Sequence, residues 1–510
     1  MVAATEETRA IKLHGQVELG GHVRTTQILR AARNRLLSTY GRRFLRHWLY
    51  KPGLRLRKWP NDASKRLPST TVVGVGIYLW ICGTLGAAGL QNNTLAFSDS
   101  GKTLVCLNVF QPFGYGKSIG PSGSAVYTAS PFENGGSDTQ VLPDSRLELA
   151  KSLGFDCLRM VVDVGALMSS ATEPQLDALV EQIRIGISRR IRSGLRVIVD
   201  VHPFPVGTHP VPGFADVDLI DGPDGPRFQR LIHVVRKLAQ AVRDHFSAAE
   251  VAVELFNEPP PPESFRIRRA WNEQIEYYWR QIRVVLPSHT LIVAGTGFAG
   301  LDGLISGEPS AGVVNLRPEQ FDANTGFAIH PYESATFTHQ GFPGFFSHVR
   351  ALPFPAGDEP AMRRAKETFR NTVIEDPSLS LLEKFKLVLG FVYQGSHSYS
   401  FDKYSTEFGN AELLLKRLNV VTAWADKHHL SRRQIMNTEF GVNHDQNGCS
   451  GKASAVSAFN FIRAVRDISD ASKLGLITIH QLQGDCFGIA SSSPPYEFDP
   501  DIIHALRLGR

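Results

Sequence analysis

Cysteine is scarce in this chain, five residues in 510, and none stands in a CxxC or Cys/His spacing, so no zinc site is expected. No HExxH pair occurs either, and the histidines lack any other metal-ligand spacing. No glycine-rich phosphate loop follows an apolar run, which argues against a doubly wound nucleotide-binding sheet. Internal repeats and low-complexity stretches are missing too. Whatever chemistry the chain performs is expected to need neither metal nor cofactor.

Charge of either sign is missing from Leu67 to Ser98. Inside that window Thr71–Leu90 is an apolar run long enough to cross a bilayer as a helix. Lys and Arg crowd its N-terminal side (Arg55, Arg57, Lys58, Lys65, Arg66), which keeps the N-terminus in the cytoplasm and exports the rest. The small residues Gly86 to Gly89 also suit a signal-peptidase site. The segment therefore reads as a membrane anchor or as the core of a signal peptide, the catalytic part being exported in either case. Residues 1–66 hold fifteen basic and four acidic residues, a surplus of eleven. The other 444 residues hold 40 basic and 45 acidic groups, so the large domain lacks the basic face that nucleic-acid binding needs. Ile28, Ala32, Leu36, Tyr40, Phe44 and Trp48 recur every four positions among arginines, as in a basic amphipathic helix on an anionic membrane.

Beyond Lys102, short apolar runs alternate with longer helical stretches, the pattern of parallel βα units. The runs are Thr103–Phe110, Phe155–Val162, Leu195–His202, Val251–Asn257, Thr290–Ala294, Gly326–His330, Gln434–Phe440 and Leu474–Gln481. They are rich in Val, Ile and Leu, as strands buried on both faces should be. Eight of them predict an α/β chain, a (β/α)8 TIM barrel over residues 99–510. Runs six and seven are unusually far apart, so residues 337–405 are expected to form an inserted subdomain. Its aromatics, Phe337, Phe342, Phe345, Phe346, Phe354, Tyr393, Tyr399, Phe401 and Tyr404, are assigned partly to a small core of its own and partly to stacking on sugar rings. Cys106 and Cys157 fall in core strands and read as plain buried thiols. Cys449 and Cys486 fall in loops on one face, and their pairing stays open.

Chemistry gathers at the C-terminal ends of the runs, where barrel enzymes build their sites. Arg159, His202, Asn257, Glu258, His330, Tyr332 and Glu439 all project there. Buried polar groups are costly without partners, and seven at one mouth suggest a site. Two glutamates on facing strands suit glycosidic cleavage, one donating a proton to the leaving oxygen and one attacking the anomeric carbon. Arg159 near Glu439 would keep that carboxylate ionised, so Glu258 is expected to hold its proton to higher pH.

The motifs ELFNEPP and MNTEFGVN, in this order on runs four and seven, resemble the cellulase-like glycoside hydrolases of family 5. LAKSLGFDCLRMVV (149–162), GLRVIVDVHPFP (194–205) and FAIHPYESATFTHQGF (327–342) extend the resemblance over residues 103–490. It implies a retaining (β/α)8 enzyme acting on β-linked glycans, with Glu258 as acid/base and Glu439 as nucleophile. Arg159 and His330 would support the nucleophile, while His202, Asn257 and Tyr332 would line the subsite of the cleaved sugar. FTHQGF brings His339 and Gln340 near the site. The family usually carries a tryptophan where this chain has His480, which points to a modified, acidic or branched glycan. The expected partner is an oligo- or polysaccharide. The alternative is a non-catalytic or transglycosylating component of an exopolysaccharide assembly.

Overall fold

The computed structural model describes residues 95–509, less residue 100 and the segments 111–112, 114–116, 120–124, 128–137, 204–223, 260–264, 306–315, 333–334, 343–345, 394–398, 445–451, 484–485 and 492–494. The basic extension 1–66, its amphipathic stretch and the apolar run Thr71–Leu90 lie outside the described residues. Among the described residues no helix is long and apolar enough to cross a membrane.

Eight parallel strands close into a barrel: β1 (Leu104–Val109), β2 (Cys157–Asp163), β3 (Arg196–His202), β4 (Val251–Glu254), β5 (Leu291–Ala294), β6 (Thr325–Ile329), β7 (Ile435–Phe440) and β8 (Leu476–Ile479). Each pairs with its neighbours in sequence, and β8 returns to β1 with Leu104 opposite Leu476. All eight coincide with the apolar runs. Every strand residue except Arg196 is buried, which is why the runs carry so little polar alternation. A two-stranded ribbon, Lys117–Ile119 with Ala125–Tyr127, follows β1 and was not expected.

Helices cover the strands by apolar stripes at helical spacing. In α1 (Glu173–Arg192) these are Leu176, Val180, Ile183 and Ile187, after a Thr172 cap that accepts from Gln175 N. In α2 (Pro226–His245) they are Phe228, Leu231, Val235, Leu238 and Val242. Three and four residues separate the stripe positions, so one face meets the barrel.

The chain between β6 and β7 shares a core with the barrel instead of building one of its own. Phe337, Phe354, Phe401 and Tyr404 are buried in one cluster with Phe440 of β7 and Phe461 of the helix Ala455–Ala471. Phe337 lies 5.3 Å from Phe461 between ring centroids, and Phe354 lies 5.5 Å from it. The insertion is thus packed into the barrel's outer layer. Phe342, Tyr393 and Tyr399 stay exposed at 37%, 63% and 39%, while Phe345 lies outside the described residues.

A second correction concerns cysteine. Cys106 and Cys157 form a disulfide between β1 and β2, with Cα atoms 4.5 Å apart. The strand register sets them directly opposite each other, within bonding reach. Cys486 is disulfide-bonded as well; Cys449 lies outside the described residues.

Candidate active site

Every second side chain of a barrel strand points inward. The inner face begins apolar, with Leu104, Cys106, Cys157, Ile198, Ala252, Ala328, Met436 and Leu476 in one cluster. Two residues further along, several strands turn polar: Asn108 on β1, Arg159 on β2, Asp200 on β3, Glu254 on β4 and Thr438 on β7, all essentially without exposure. The site rests on this polar layer.

Arg159 is its hub. Its Nε donates to Glu254 Oε2 at 2.7 Å, Nη1 to Asn108 Oδ1 at 3.1 Å and Glu439 Oε2 at 3.0 Å, and Nη2 to Asn257 Oδ1 at 2.8 Å. Nη2 also lies 3.1 Å from Asp200 Oδ2. The planar fork has five N–H donors and here meets five oxygen partners, a geometry lysine cannot copy. Burial pulls its pKa down, but Asp200, Glu254 and Glu439 outweigh that and raise it, so Arg159 stays charged.

Glu439 is the next-to-last residue of β7 and is 7% exposed. Besides Arg159 it accepts from the Tyr332 phenol at 3.3 Å and has His480 Nδ1 at 3.6 Å. Burial alone would raise its pKa, but His480, His330, Arg159 and His202 lower it to about 2. Tyr332 is pushed well above the ordinary phenol value, by burial and by the charges of Glu439 and Glu258, so it remains a donor.

Glu258 is only partly buried and meets a different partner, His330 Nδ1, at 2.9 Å. The other ring nitrogen lies 3.0 Å from Thr438 Oγ1. Burial opposes charging of His330, yet the bond to Glu258 and the charges of Glu439 and Glu258 raise its pKa overall. The 2.9 Å contact between His330 Nδ1 and Glu258 Oε1 is a hydrogen bond, so one hydrogen lies between these two atoms. A carboxylate oxygen of each glutamate and a nitrogen of His330 lie within 4.8 Å of one another. That spacing could admit an ion. The two nitrogens and the Glu439 oxygens are already engaged in hydrogen bonds.

Local backbone features hold this arrangement. Glu258 has φ 44°, a left-handed conformation that costs a non-glycine residue about 1–3 kcal/mol and is characteristic of functional sites. The loop after β5 clamps it: Phe298 N donates to Pro259 O at 2.9 Å, and Ala299 O accepts from His330 N at 2.7 Å. Gly441 follows β7 for reasons of space. A Cβ there would stand 2.4 Å from His480 O and 3.2 Å from the Phe487 ring. Gly441→Ala is expected to push the end of β8 away by about 1 Å and cost up to about 10²-fold in kcat/KM. Kinetics beside a thermal melt would separate this from simple destabilisation.

The sequence model of the cellulase family, glycosyl hydrolase family 5, matches residues 137–471. The chain belongs to glycosyl hydrolase family 5. Among solved structures, the cellulose synthase subunit Z of Clostridioides difficile aligns with TM-score 0.50 at 18% identity, over 79% of this chain and 99% of that one. Cel5A of Thermotoga maritima, in complex with cellobiose, aligns with TM-score 0.51 at 16% identity, over 79% and 97%. No curated protein matches the chain. At these identities the structural likeness speaks for the fold.

Within this family 5 barrel, all eight residues singled out from sequence meet at one mouth. His202 donates from Nδ1 to Asp200 Oδ2 at 2.8 Å and presents Nε2 to Asn257 Nδ2 at 3.3 Å. His480 sits at the end of β8 between the rings of Phe110 and Phe487, 5.4 and 5.3 Å away. Its Nδ1 is also 2.9 Å from Asn108 Nδ2. Of the weaker candidates, His339 packs 5.0 Å from the Tyr332 ring. Gln340 is a brace instead, its buried amide bonded to the backbone of Phe337 and Leu352. Sequence reasoning missed Asn108, Asp200, Glu254 and Thr438. The available signal was their spacing, one to four residues before a strand-end candidate or at the matching level of β1.

Proposed function

We propose that the protein is a retaining β-glycosidase that cleaves a β-linked oligo- or polysaccharide within the chain. Glu439 attacks the anomeric carbon, and Glu258 protonates the leaving oxygen and then activates water. The observation that carries this reading is the pair itself. Carboxylate oxygens within 4.8 Å fit the retaining separation of about 5–5.5 Å and fall well short of the inverting one, about 6.5–9.5 Å. Their surroundings differ in the required sense. Arg159 and the Tyr332 hydroxyl bond the oxygens of Glu439, which favours the ionised nucleophile. Glu258 shares a proton with His330, which supplies the acid. His202, Asn257 and Tyr332 would hold the sugar at the cleavage point, and His480 would replace a stacking platform with a polar one. The apolar run Thr71–Leu90 and its basic flank support an exported domain, tethered to the membrane or released by signal cleavage.

A second reading, a glycan-binding or transglycosylating part of an exopolysaccharide assembly, draws on His480 and on the likeness to a cellulose synthase subunit. One experiment separates the two. Purified full-length protein is incubated with β-glucans, β-mannans and bacterial exopolysaccharides, beside Glu439→Gln and Glu258→Gln, and new reducing ends are counted. Release by the parent, abolished in the first variant and nearly so in the second, is the expected result. Glycan binding without release from any polymer would favour the second reading.

A further inference from the structure

Glu254 is a fully buried carboxylate to which the mechanism above gives no task, yet it touches both halves of the site. Its Oε2 accepts from Arg159 Nε, the guanidinium that holds Glu439. Its Oε1 accepts from Thr438 Oγ1 at 3.0 Å, and Thr438 in turn lies 3.0 Å from His330 Nε2. The chain then runs through the imidazole to Glu258.

Counting hydrogens fixes its direction. A hydroxyl has one hydrogen, and an ionised carboxylate only accepts. Thr438 therefore gives its hydrogen to Glu254 and must receive one from His330, so Nε2 carries a proton. His330 Nδ1 then either accepts from a protonated Glu258 or, as imidazolium, donates to it. In both cases the proton stays within the Glu258–His330 pair, 2.9 Å apart, where a glycosidic oxygen can take it. We propose that Glu254 is a positioning residue that, through Thr438 and His330, polarises this chain so that Glu258 is kept supplied with its acid proton. This rests on the reading of Glu258 as acid/base. The groups facing the chain are Arg159 from β2, Asp200 and His202 from β3, Tyr332 beyond β6, Glu439 from β7 and His480 from β8. Among the described residues, the hydrogen bond that Thr438 Oγ1 donates runs to Glu254 Oε1.

Glu254→Gln reverses the chain. The glutamine oxygen must face Arg159 Nε, so its amide nitrogen donates to Thr438 Oγ1, whose hydrogen turns to His330 Nε2. His330 then carries its proton on Nδ1 and donates to an ionised Glu258. Two readouts follow. By nitrogen-15 NMR of histidine-labelled full-length protein, the parent should show His330 protonated at Nε2, and Glu254→Gln should show it neutral and protonated at Nδ1 alone. In kinetics the variant should lose about 10²-fold or more in kcat on the natural glycan, the scale of a lost general acid. It should lose far less on the dinitrophenyl glycoside of the same sugar, whose leaving group needs no proton. The basic limb of the kcat–pH profile on the natural glycan should move to lower pH.

Should Glu254→Gln not fold, Thr438→Val removes the acceptor for Nε2–H and is expected to shift the tautomer the same way, with Thr438→Ser restoring the parent pattern. A His330 tautomer unchanged in these variants would overturn the inference, as would equal losses on both substrates. A parent inactive on every glycan would count against the hydrolase reading, while the NMR comparison would still decide the role of Glu254.

Discussion

Glu439→Ala is expected to lose roughly 10⁶-fold in kcat, the scale on which removal of a covalent nucleophile acts. The loss should have a chemical signature. Alanine leaves a space on the face of the sugar opposite the leaving group, and azide can fill it. Added azide should then restore turnover and yield an α-glycosyl azide, because a single displacement inverts the anomeric carbon. Glu258→Ala should answer the same anion differently. There the glycosyl-enzyme still forms from activated substrates, azide intercepts it from the other face, and the product is the β-azide. Identical products from both variants, or no rescue in either, would mean that the two glutamates do not hold these separate roles.

Arg159→Leu should be the most damaging change to the fold itself. Three carboxylates lie against this one guanidinium, at 2.7 Å for Glu254, 3.0 Å for Glu439 and 3.1 Å for Asp200. Removing a buried cation leaves its partners uncompensated and typically costs about 3–5 kcal/mol, or about 5 °C in Tm for a domain of this size. The pH dependence follows from the share that Arg159, after His480 and His330, has in depressing the pKa of Glu439 to about 2 from an ordinary 4.5. A depressed carboxyl contributes stability that is present above the unfolded value and is lost as pH falls through the folded one. The gap between parent and variant should therefore be widest near neutrality and narrow from about pH 4.5 towards 2. Any activity left in the variant should show its acid limb at higher pH than the parent. Urea melts at several pH values would measure the first effect. A gap independent of pH would show that Arg159 braces the barrel by packing alone.

Much of this architecture was legible in the chain. Strands buried on both faces cannot alternate apolar and polar residues, so their Val/Ile/Leu runs stand out at almost their true boundaries. The mouth was legible because His202, Asn257, Glu258, His330, Tyr332, Glu439 and His480 are polar interruptions at the ends of those runs, and Arg159 stands inside its run, in the layer just beneath. The layer beneath was not. Asn108, Asp200, Glu254 and Thr438 each look like a lone polar residue in a strand, and only the register of the closed barrel makes them one network. Register also hid the Cys106–Cys157 bond, since two cysteines 51 positions apart meet only if β1 and β2 pair in this alignment. The insertion's aromatics announced an apolar cluster but not its partner, because Phe440 and Phe461 lie far along the chain. The left-handed backbone at Glu258 had no sequence signal beyond the four prolines after it.

The central claim is that Glu258 and Glu439 act by double displacement, and the anomeric configuration of the first product tests it most directly. Proton NMR during the first minutes of hydrolysis, before mutarotation, should show the β-anomer of the newly formed reducing end, with the α-anomer growing in later. The α-anomer appearing first would mean single-step inversion, and would contradict the assignment of Glu439 as a covalent nucleophile.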